Sequence, residues 1–381
     1  MNIDLMKLKK MNVGEVFMSQ ENEYKNQKGK IKVLMVGPAR TVKGGMTTVV
    51  DNYFKYGLTE KVELNYCESI NDKSNIQKGI KEIIGYLKFK NIFSKYDIIH
   101  IHMASGRSAF RKLKYLELAK KNNKKVIVHI HGGGFADFYK SLNENKKKIV
   151  KGGLLKADKL IVLSEEWKVF FKNIVPVDKI EVLYNGVEVP SDFHKDCNNE
   201  KILFLGRICE DKGIYSLLSA IGSIKNDYPN LILNICGSGE NEKVSNYIMA
   251  HKLEKNVKFV GWVSGSEKIM QLKNNSIFIL PSKFEAMPMS LLEAMAYENV
   301  VVCTDVGGIP QVVQDGVNGV LMKDNSKDSI INALHRVLDF PLEKRQMATK
   351  AKFTIETRFD ISNNIKALFC LYKEVYSKNG A

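Results

Sequence analysis

Between Pro281 and Ala296 the chain reads PSKFEAMPMSLLEAMA. The five residues before it, Ser276–Leu280 (SIFIL), are a short apolar run of the kind that makes a buried strand. Pro288 suits the first position of a helix, where its missing N–H is no loss. Leu291, Leu292, Met295 and Ala296 then recur at helical spacing. The stretch therefore reads as strand, loop and helix. Glu285 sits in the loop beside the unsatisfied N–H groups of a helix start, and Glu293 lies about two turns along. In open α/β sheets the corner past the carboxyl end of a strand is where ligands bind. Two glutamates near a helix start carry little weight alone, because acidic groups favour the positive end of the helix dipole.

The same alternation extends outward. In the second half, strand-like runs stand at Ile202–Leu205, Leu231–Cys236, Val257–Val260 and Val300–Thr304. A polar stretch from Tyr184 to Asn199 interrupts the pattern. Before it come Ile31–Val36, Val62–Cys67, Asp97–Ile101, Lys125–Ile130, Lys159–Leu163 and Ile180–Leu183. Helix-length segments separate most of these runs, which predicts parallel sheets built from βαβ units. At 381 residues the chain is too long for one ordinary core. The expected organisation is an extension over 1–29, doubly wound α/β domains over 30–190 and 191–360 with a linker near 185–200, and a helical segment over 361–381.

Composition narrows the setting. The six cysteines (67, 197, 209, 236, 303 and 370) are scattered, with no C-x-x-C and no His/Cys cluster. That spacing argues for reduced thiols and against zinc or a disulfide framework, so no metal ligands are singled out. No apolar run approaches the ~18–20 residues that span a bilayer, and the amino terminus lacks the apolar core of a secretory signal. The expected compartment is the cytoplasm.

The net charge of +16 is unevenly spread. Residues 1–190 hold 35 Lys and Arg against 20 Asp and Glu, an excess of 15, whereas residues 191–381 hold 23 against 22. The basic clusters are Lys81–Lys90, Arg107–Lys125 and Lys146–Lys156. In the first, Ile80, Ile83, Ile84 and Leu87 recur at helical spacing while Lys81, Lys88 and Lys90 lie elsewhere. Such a helix can lie on an anionic membrane surface, or be an ordinary surface helix of a lysine-rich protein; both readings stay open. No helix-turn-helix, zinc finger or RNP-like motif supports a nucleic-acid partner.

Four further features accompany the opening stretch. Upstream are Gly206-Arg207-Ile208-Cys209-Glu210-Asp211-Lys212-Gly213 and Gly237-Ser238-Gly239-Glu240. Downstream are Thr304-Asp305-Val306-Gly307-Gly308-Ile309-Pro310 and Asp315-Gly316-Val317-Asn318-Gly319. In this order, with Glu285 and Glu293 between them, they resemble the nucleotide-sugar domain of the family-4 retaining glycosyltransferases (glycosyl transferases group 1), of the bacterial envelope-polysaccharide type. The resemblance covers residues 30–375 and is strongest from 200 to 325. It implies the GT-B fold: two Rossmann-like domains facing across a cleft, with the helix from about Ile361 crossing back to the first domain. It also implies a hexosyltransferase that moves a sugar from a nucleoside-diphosphate sugar to a hydroxyl acceptor, with retention and without a metal or other cofactor. A UDP-sugar is expected before a GDP-sugar. The acceptor is expected to be a saccharide or lipid-linked saccharide, with the enzyme cytoplasmic or peripheral on the inner face of the cell membrane.

Residues can be matched one by one. Neither half carries G-x-G-x-x-G or G-x-x-x-x-G-K-[ST], which disfavours dinucleotide oxidoreductases and P-loop enzymes. There is no D-x-D, the usual metal ligand of the other large glycosyltransferase fold. Leaving-group charge must then be met by side-chain cations and backbone N–H groups. Arg207 and Lys212 match the pair that grips the donor diphosphate, placed in a loop after a strand ending at Leu205. The helix start at Met287, Pro288, Met289 and Ser290 adds oriented N–H groups. Glu293 matches the glutamate that holds the ribose hydroxyls, and Glu285 the one nearest the transferred sugar. Ala286 departs from the family, which often has Gly there. Gly237 and Gly239 read as a tight turn after Leu231–Cys236, and Trp262 and Val263 resemble the segment that cups the base. In the first domain, Gly44 and Gly45 resemble the glycine loop near diphosphate and acceptor. His131, before Gly132-Gly133-Gly134, matches the histidine that contacts the sugar; His102 reads as a structural neighbour or a second cleft residue. The rival functions are a nucleotide-sugar epimerase and a non-catalytic subunit of a polysaccharide assembly.

Overall fold

The computed structural model describes residues 29–377 except 71–74, 192, 194 and 196–198. The extension expected over 1–29 therefore lies outside the described residues but for Gly29, as does Cys197. The first sheet has strands β1 (Lys32–Gly37), β2 (Glu63–Glu68), β3 (Ile98–Met103), β4 (Lys125–Ile130), β5 (Lys159–Val162) and β6 (Ile180–Val182). The second has β7 (Lys201–Ile208), β8 (Ile232–Gly239), β9 (Val257–Gly261), β10 (Ile277–Leu280), β11 (Val300–Thr304) and β12 (Val320–Met322). Their spatial orders are β2-β1-β3-β4-β5-β6 and β12-β11-β10-β7-β8-β9, with the paired strands parallel. Helices cover both faces, so the strands read as continuous apolar runs; all six residues of β3, IIHIHM, are buried, histidines included.

Both orders reverse direction in the middle of the sheet. The second sheet runs outward from β7 through β8 to β9, then returns to β10, β11 and β12 on the other side. Its switch point is between β7 and β10, and the loops leaving those two strands carry Lys212 and Glu285. In the first sheet the switch lies between β1 and β3, and the loop after β1 ends at Gly44, with Gly45 opening the next helix. β12 is missing from the sequence reading because its three residues are too short for a periodic signal.

Two expectations about the second domain need correction. β7 and β8 run further than expected, pairing Gly206, Arg207 and Ile208 with Gly237, Ser238 and Gly239. Arg207 is thus inside a strand, and Gly237 and Gly239 are strand ends and not a turn. A Cβ on Gly237 or Gly239 would strike the carbonyl oxygen of Gly206 or Ile208. The missing side chains let the two backbones stay close enough to pair. Pro288 is also one position early: it is the N-cap, and the helix is Met289–Ala296.

One apolar core is continuous from the first sheet into the second domain, taking in Met287, Met289, Leu291, Leu292 and Met295. A second core lies on the other face of the second sheet. Asn185, in the connection between the sheets, donates from Nδ2 to Met287 O at 2.8 Å. The chain leaves the second domain through a π-helical segment, Ile355–Phe359, and ends in the helix Ile361–Ser377. That helix lies against the first sheet, where Tyr372 Oη is 2.7 Å from His100 Nδ1. No helix among the described residues is long and apolar enough to cross a membrane.

Candidate active site

Lys212 closes a single turn after β7, and Glu285 sits in the loop between β10 and Met289–Ala296. Across the switch point Lys212 Nζ and Glu285 Oε1 form a close ion pair. Ser282 Oγ donates to the same carboxylate oxygen at 2.8 Å. Glu285 is only 9% exposed, so its charge depends on such partners. The loop is held from several sides. Lys283 N donates to Asp211 O at 2.8 Å, Thr304 Oγ1 to Ser282 O at 2.6 Å, and Gly308 N to Ala286 O at 2.9 Å. A Cβ on Gly307 or Gly308 would strike the carbonyl of Glu285 or Ala286. The Thr304–Gly308 stretch thus supports the back of the Glu285 loop.

The first domain faces this loop. Gly44 caps the helix Gly45–Lys55, and His131 follows β4 with its N–H donated to Met103 O at 2.8 Å. Gly133 meets the second domain most closely: a Cβ there would stand 2.7 Å from Glu285 C and 2.9 Å from both Glu285 Cα and Ala286 N. Between the domains lies a cavity of about 430 Å³. Of the residues singled out from sequence, its walls gather Gly44, Gly45, His131, Lys212, Glu285, Met287, Pro288 and Met289. Arg207, Gly237, Gly239, Trp262, Val263, Ser290 and Glu293 stand off those walls. Glu293 is paired with Lys268 Nζ at 2.6 Å. Trp262, 39% exposed, faces the first domain, with Lys43 Nζ 4.9 Å from its ring centroid.

Behind His131 stands a group of buried imidazoles. His102 and His129 face each other in the β3–β4 register, and strand alternation puts His100 and His131 on the same side. His102 Nδ1 and His131 Nε2 are 2.8 Å apart. His102 Nε2 has no partner, which favours the tautomer with the proton on Nδ1, because buried N–H groups are rarely left unpaired. His102 then donates to His131 Nε2, and His131 carries its own proton on Nδ1. His100, His102 and His129 bring ring nitrogens within 4.8 Å of one another and are the group among the described residues that could hold a metal ion. All three are fully buried, so an ion there would be structural and out of reach of a substrate.

These rings predict an acid-sensitive fold. Burial pushes His100 and His131 down to about 3, and pushes His102 and His129 down as well. An unfolded imidazole titrates near ~6.5. Below that value the unfolded chain takes up protons that the folded chain refuses, so stability is complete above pH ~6.5 and falls as pH drops towards ~3. One such group costs about 1.4 kcal/mol per pH unit. Thermal unfolding below pH ~6.5 should therefore show Tm falling by more than about 3 °C per unit. His129→Leu should shallow that slope. A Tm unchanged between pH ~7 and ~5 would contradict the assignment of neutral, proton-excluding rings.

Sequence reading missed Ser282, Lys268, Asn185 and the close approach at Gly133. Ser282, three residues before Glu285, was the only one of these inside the quoted motif; the others are far from their partners in sequence and carry no local signal.

Comparisons with known proteins follow the same division of the chain. Residues 189–353 match the family model described as glycosyl transferases group 1, and residues 74–189 match that of glycosyltransferase family 4. The UDP-Gal:alpha-D-GlcNAc-diphosphoundecaprenol alpha-1,3-galactosyltransferase of Escherichia coli is 30% identical over 310 residues, covering 74% of this chain and 76% of that protein. The lipopolysaccharide 1,2-N-acetylglucosaminetransferase of Salmonella typhimurium is 28% identical over 271 residues, covering 65% and 67%. Among solved structures, sucrose-phosphate synthase from Thermosynechococcus elongatus superposes with a TM-score of 0.78 at 16% identity, covering 92% of this chain and 100% of that one. Anabaena HepE in complex with UDP-glucose superposes with a TM-score of 0.74 at 16% identity, covering 90% and 100%.

Proposed function

The chain belongs to the group 1 glycosyl transferases of the GT-B fold, and from that premise we propose that it moves a sugar from a UDP-sugar to a hydroxyl of a lipid-linked saccharide in envelope-polysaccharide synthesis, with retention and without a metal. The observation that carries this reading is the Lys212–Glu285–Ser282 group at the second switch point, facing His131 and the glycine loop across the cavity.

The donor diphosphate sits against Lys212 and the N–H groups that open Met289–Ala296, where positive charge is already oriented. Its approach draws Lys212 Nζ onto the phosphates while Ser282 keeps the Glu285 carboxylate in place to steady positive charge developing on the sugar. His131 offers Nδ1–H to a sugar oxygen. The acceptor hydroxyl attacks from the face the diphosphate leaves, and the departing phosphate oxygen takes its proton, so the anomeric configuration is kept. The acceptor reading draws on the lipid-diphosphate sugar named for the 30% identical relative and on the positive charge of the first domain, which suits the anionic inner face of a membrane.

The test is thermal unfolding in EDTA with UDP, GDP and their sugars. A ligand at a hundred times its Kd stabilises by about 2.7 kcal/mol, worth several degrees. A rise with UDP compounds that disappears in Lys212→Ala supports the donor site, and anomeric coupling in the product tests retention. No rise with any nucleotide would remove the donor assignment, and conversion of a UDP-sugar without acceptor would make the protein an epimerase.

A further inference from the structure

Within the stretch from Pro281 to Ala296, Phe284 is the one large apolar side chain that the fold does not absorb. Pro281, Ser282 and Glu285–Met289 around it are buried, whereas Phe284 is 45% exposed and belongs to neither apolar core. Its exposure does not come from a loose loop. On one side Lys283 N donates to Asp211 O at 2.8 Å, and Lys283 Nζ is 3.1 Å from Glu210 Oε1. On the other side the Glu285 carboxylate is held by Lys212 and Ser282. Burying a phenylalanine is worth roughly 1.5–3 kcal/mol, so a ring held open to water on a fixed loop serves something other than stability.

The ring stands in the wall of the cavity between the domains and is the only Phe, Tyr or Trp among the described residues of that wall. Glu285, the next residue, is turned in to Lys212, while Phe284 is left open to solvent. Cavities of this kind take ligands against apolar and aromatic side chains, with a few polar groups to fix orientation. The face of an aromatic ring is apolar and carries negative charge density. A pyranose with equatorial hydroxyls matches it, because its C–H bonds form a flat, weakly positive face and its hydroxyls point outward around the rim. A nucleobase also stacks on such a ring. In a nucleoside-diphosphate sugar, however, the base and the transferred sugar lie on opposite sides of the diphosphate, and Phe284 adjoins the carboxylate assigned to the sugar end.

We propose that Phe284 is the platform on which a pyranose of the acceptor stacks, and so a residue that determines acceptor specificity. The ring fixes the plane of the acceptor sugar and keeps water from one of its faces, while the rim hydroxyls stay free to approach the donor. It selects sugars that offer a flat C–H face. That the stacked sugar is the acceptor rests on the function proposed above; the binding of a pyranose at Phe284 does not.

Saturation-transfer NMR with methyl β-glucoside, methyl β-galactoside and methyl N-acetyl-β-glucosaminide reads that binding. At least one of them should take saturation from wild type, strongest at the ring C–H protons of one face. Phe284→Ala should weaken binding by about tenfold or more, with Tm unchanged. Phe284→Tyr and Phe284→Trp should keep it, and Phe284→Leu, apolar but without a flat face, should not. Addition of the UDP-sugar that most raises Tm should leave the glycoside bound in the first spectra. Displacement by that UDP-sugar, or loss of the UDP-dependent rise in Tm in Phe284→Ala alone, would give the ring to the donor and overturn the proposal. So would no saturation of any glycoside by wild type, equal binding by Phe284→Ala, or a Tm lowered by several degrees in that variant. A wild type that binds a glycoside through Phe284 but shows no rise in Tm with any nucleotide would instead count against the donor site and leave the sugar platform standing.

Discussion

Lys212→Ala is expected to lower kcat about 10²–10³-fold, the usual loss when one preorganised electrostatic contact is removed from a transition state. On the proposed reading Lys212 Nζ serves two partners in turn. Without donor it neutralises Glu285, which is almost fully buried and also accepts from the Ser282 hydroxyl. With donor, in the mechanism proposed above, it meets the departing diphosphate. The alanine variant loses the second role and leaves Glu285 under-compensated in the first. Breaking a fully buried pair costs roughly 3–5 kcal/mol. Lys212 is 24% exposed, so the stability loss should be below that range while the rate loss is not.

The comparison that separates these roles is Lys212→Arg with Glu285→Gln. Arginine keeps the charge and should recover part of the rate. Glu285→Gln removes the need for ion pairing and should restore stability when combined with Lys212→Ala, without restoring kcat. Steady-state rates with saturating donor, read beside Tm, distinguish the two. A Lys212→Ala enzyme within a factor of a few of wild type would show that the diphosphate is held elsewhere. Arg207, exposed on β7, would then be the next cation to test.

Much of the fold was legible because parallel strands buried on both faces announce themselves as apolar runs. Eleven runs became strands with boundaries shifted by a few residues, and among the described residues only the three-residue β12 escaped. The longest boundary errors share one cause. Gly206, Gly237 and Gly239 look like turn residues in one dimension, but two facing strands rich in glycine can continue pairing where side chains would part them. In the candidate site, Glu285 and Lys212 stood out because each sits in a dense local motif. That they meet was not legible, since 73 residues separate them and only the sheet order brings β7 beside β10. The helix Asn75–Ile92 shows the opposite limit. Its apolar spacing was plain, but periodicity tells which residues share a face and not whether that face turns inward. Only the burial of Gly85 and Phe89 decided it.

Gly133→Ala is expected to lower kcat about 10²-fold, the cost of a misplacement near 1 Å at a reacting centre, while leaving both domain cores intact. The added methyl would meet Glu285 C, Glu285 Cα and Ala286 N at 2.7–2.9 Å. These are backbone atoms, pinned in turn by the Gly308 N–H on Ala286 O and by the Ser282 and Lys212 contacts, so they cannot move aside as a flexible side chain would. Either the Glu285 loop is pushed out of place or the first domain stops short of the second, and both outcomes separate His131 from Glu285. Gly134→Ala supplies the control within the same loop, because a Cβ there meets nothing within 4 Å. It should leave kcat near wild type. The Gly133→Ala protein should still show the UDP-dependent rise in Tm, because the proposed donor contacts lie mostly on the second domain. Retained UDP stabilisation with lost turnover would locate the defect in bringing the domains together. Equal rates for the two alanine variants would mean that the approach of Gly133 to Glu285 is not the arrangement in which the sugar is transferred.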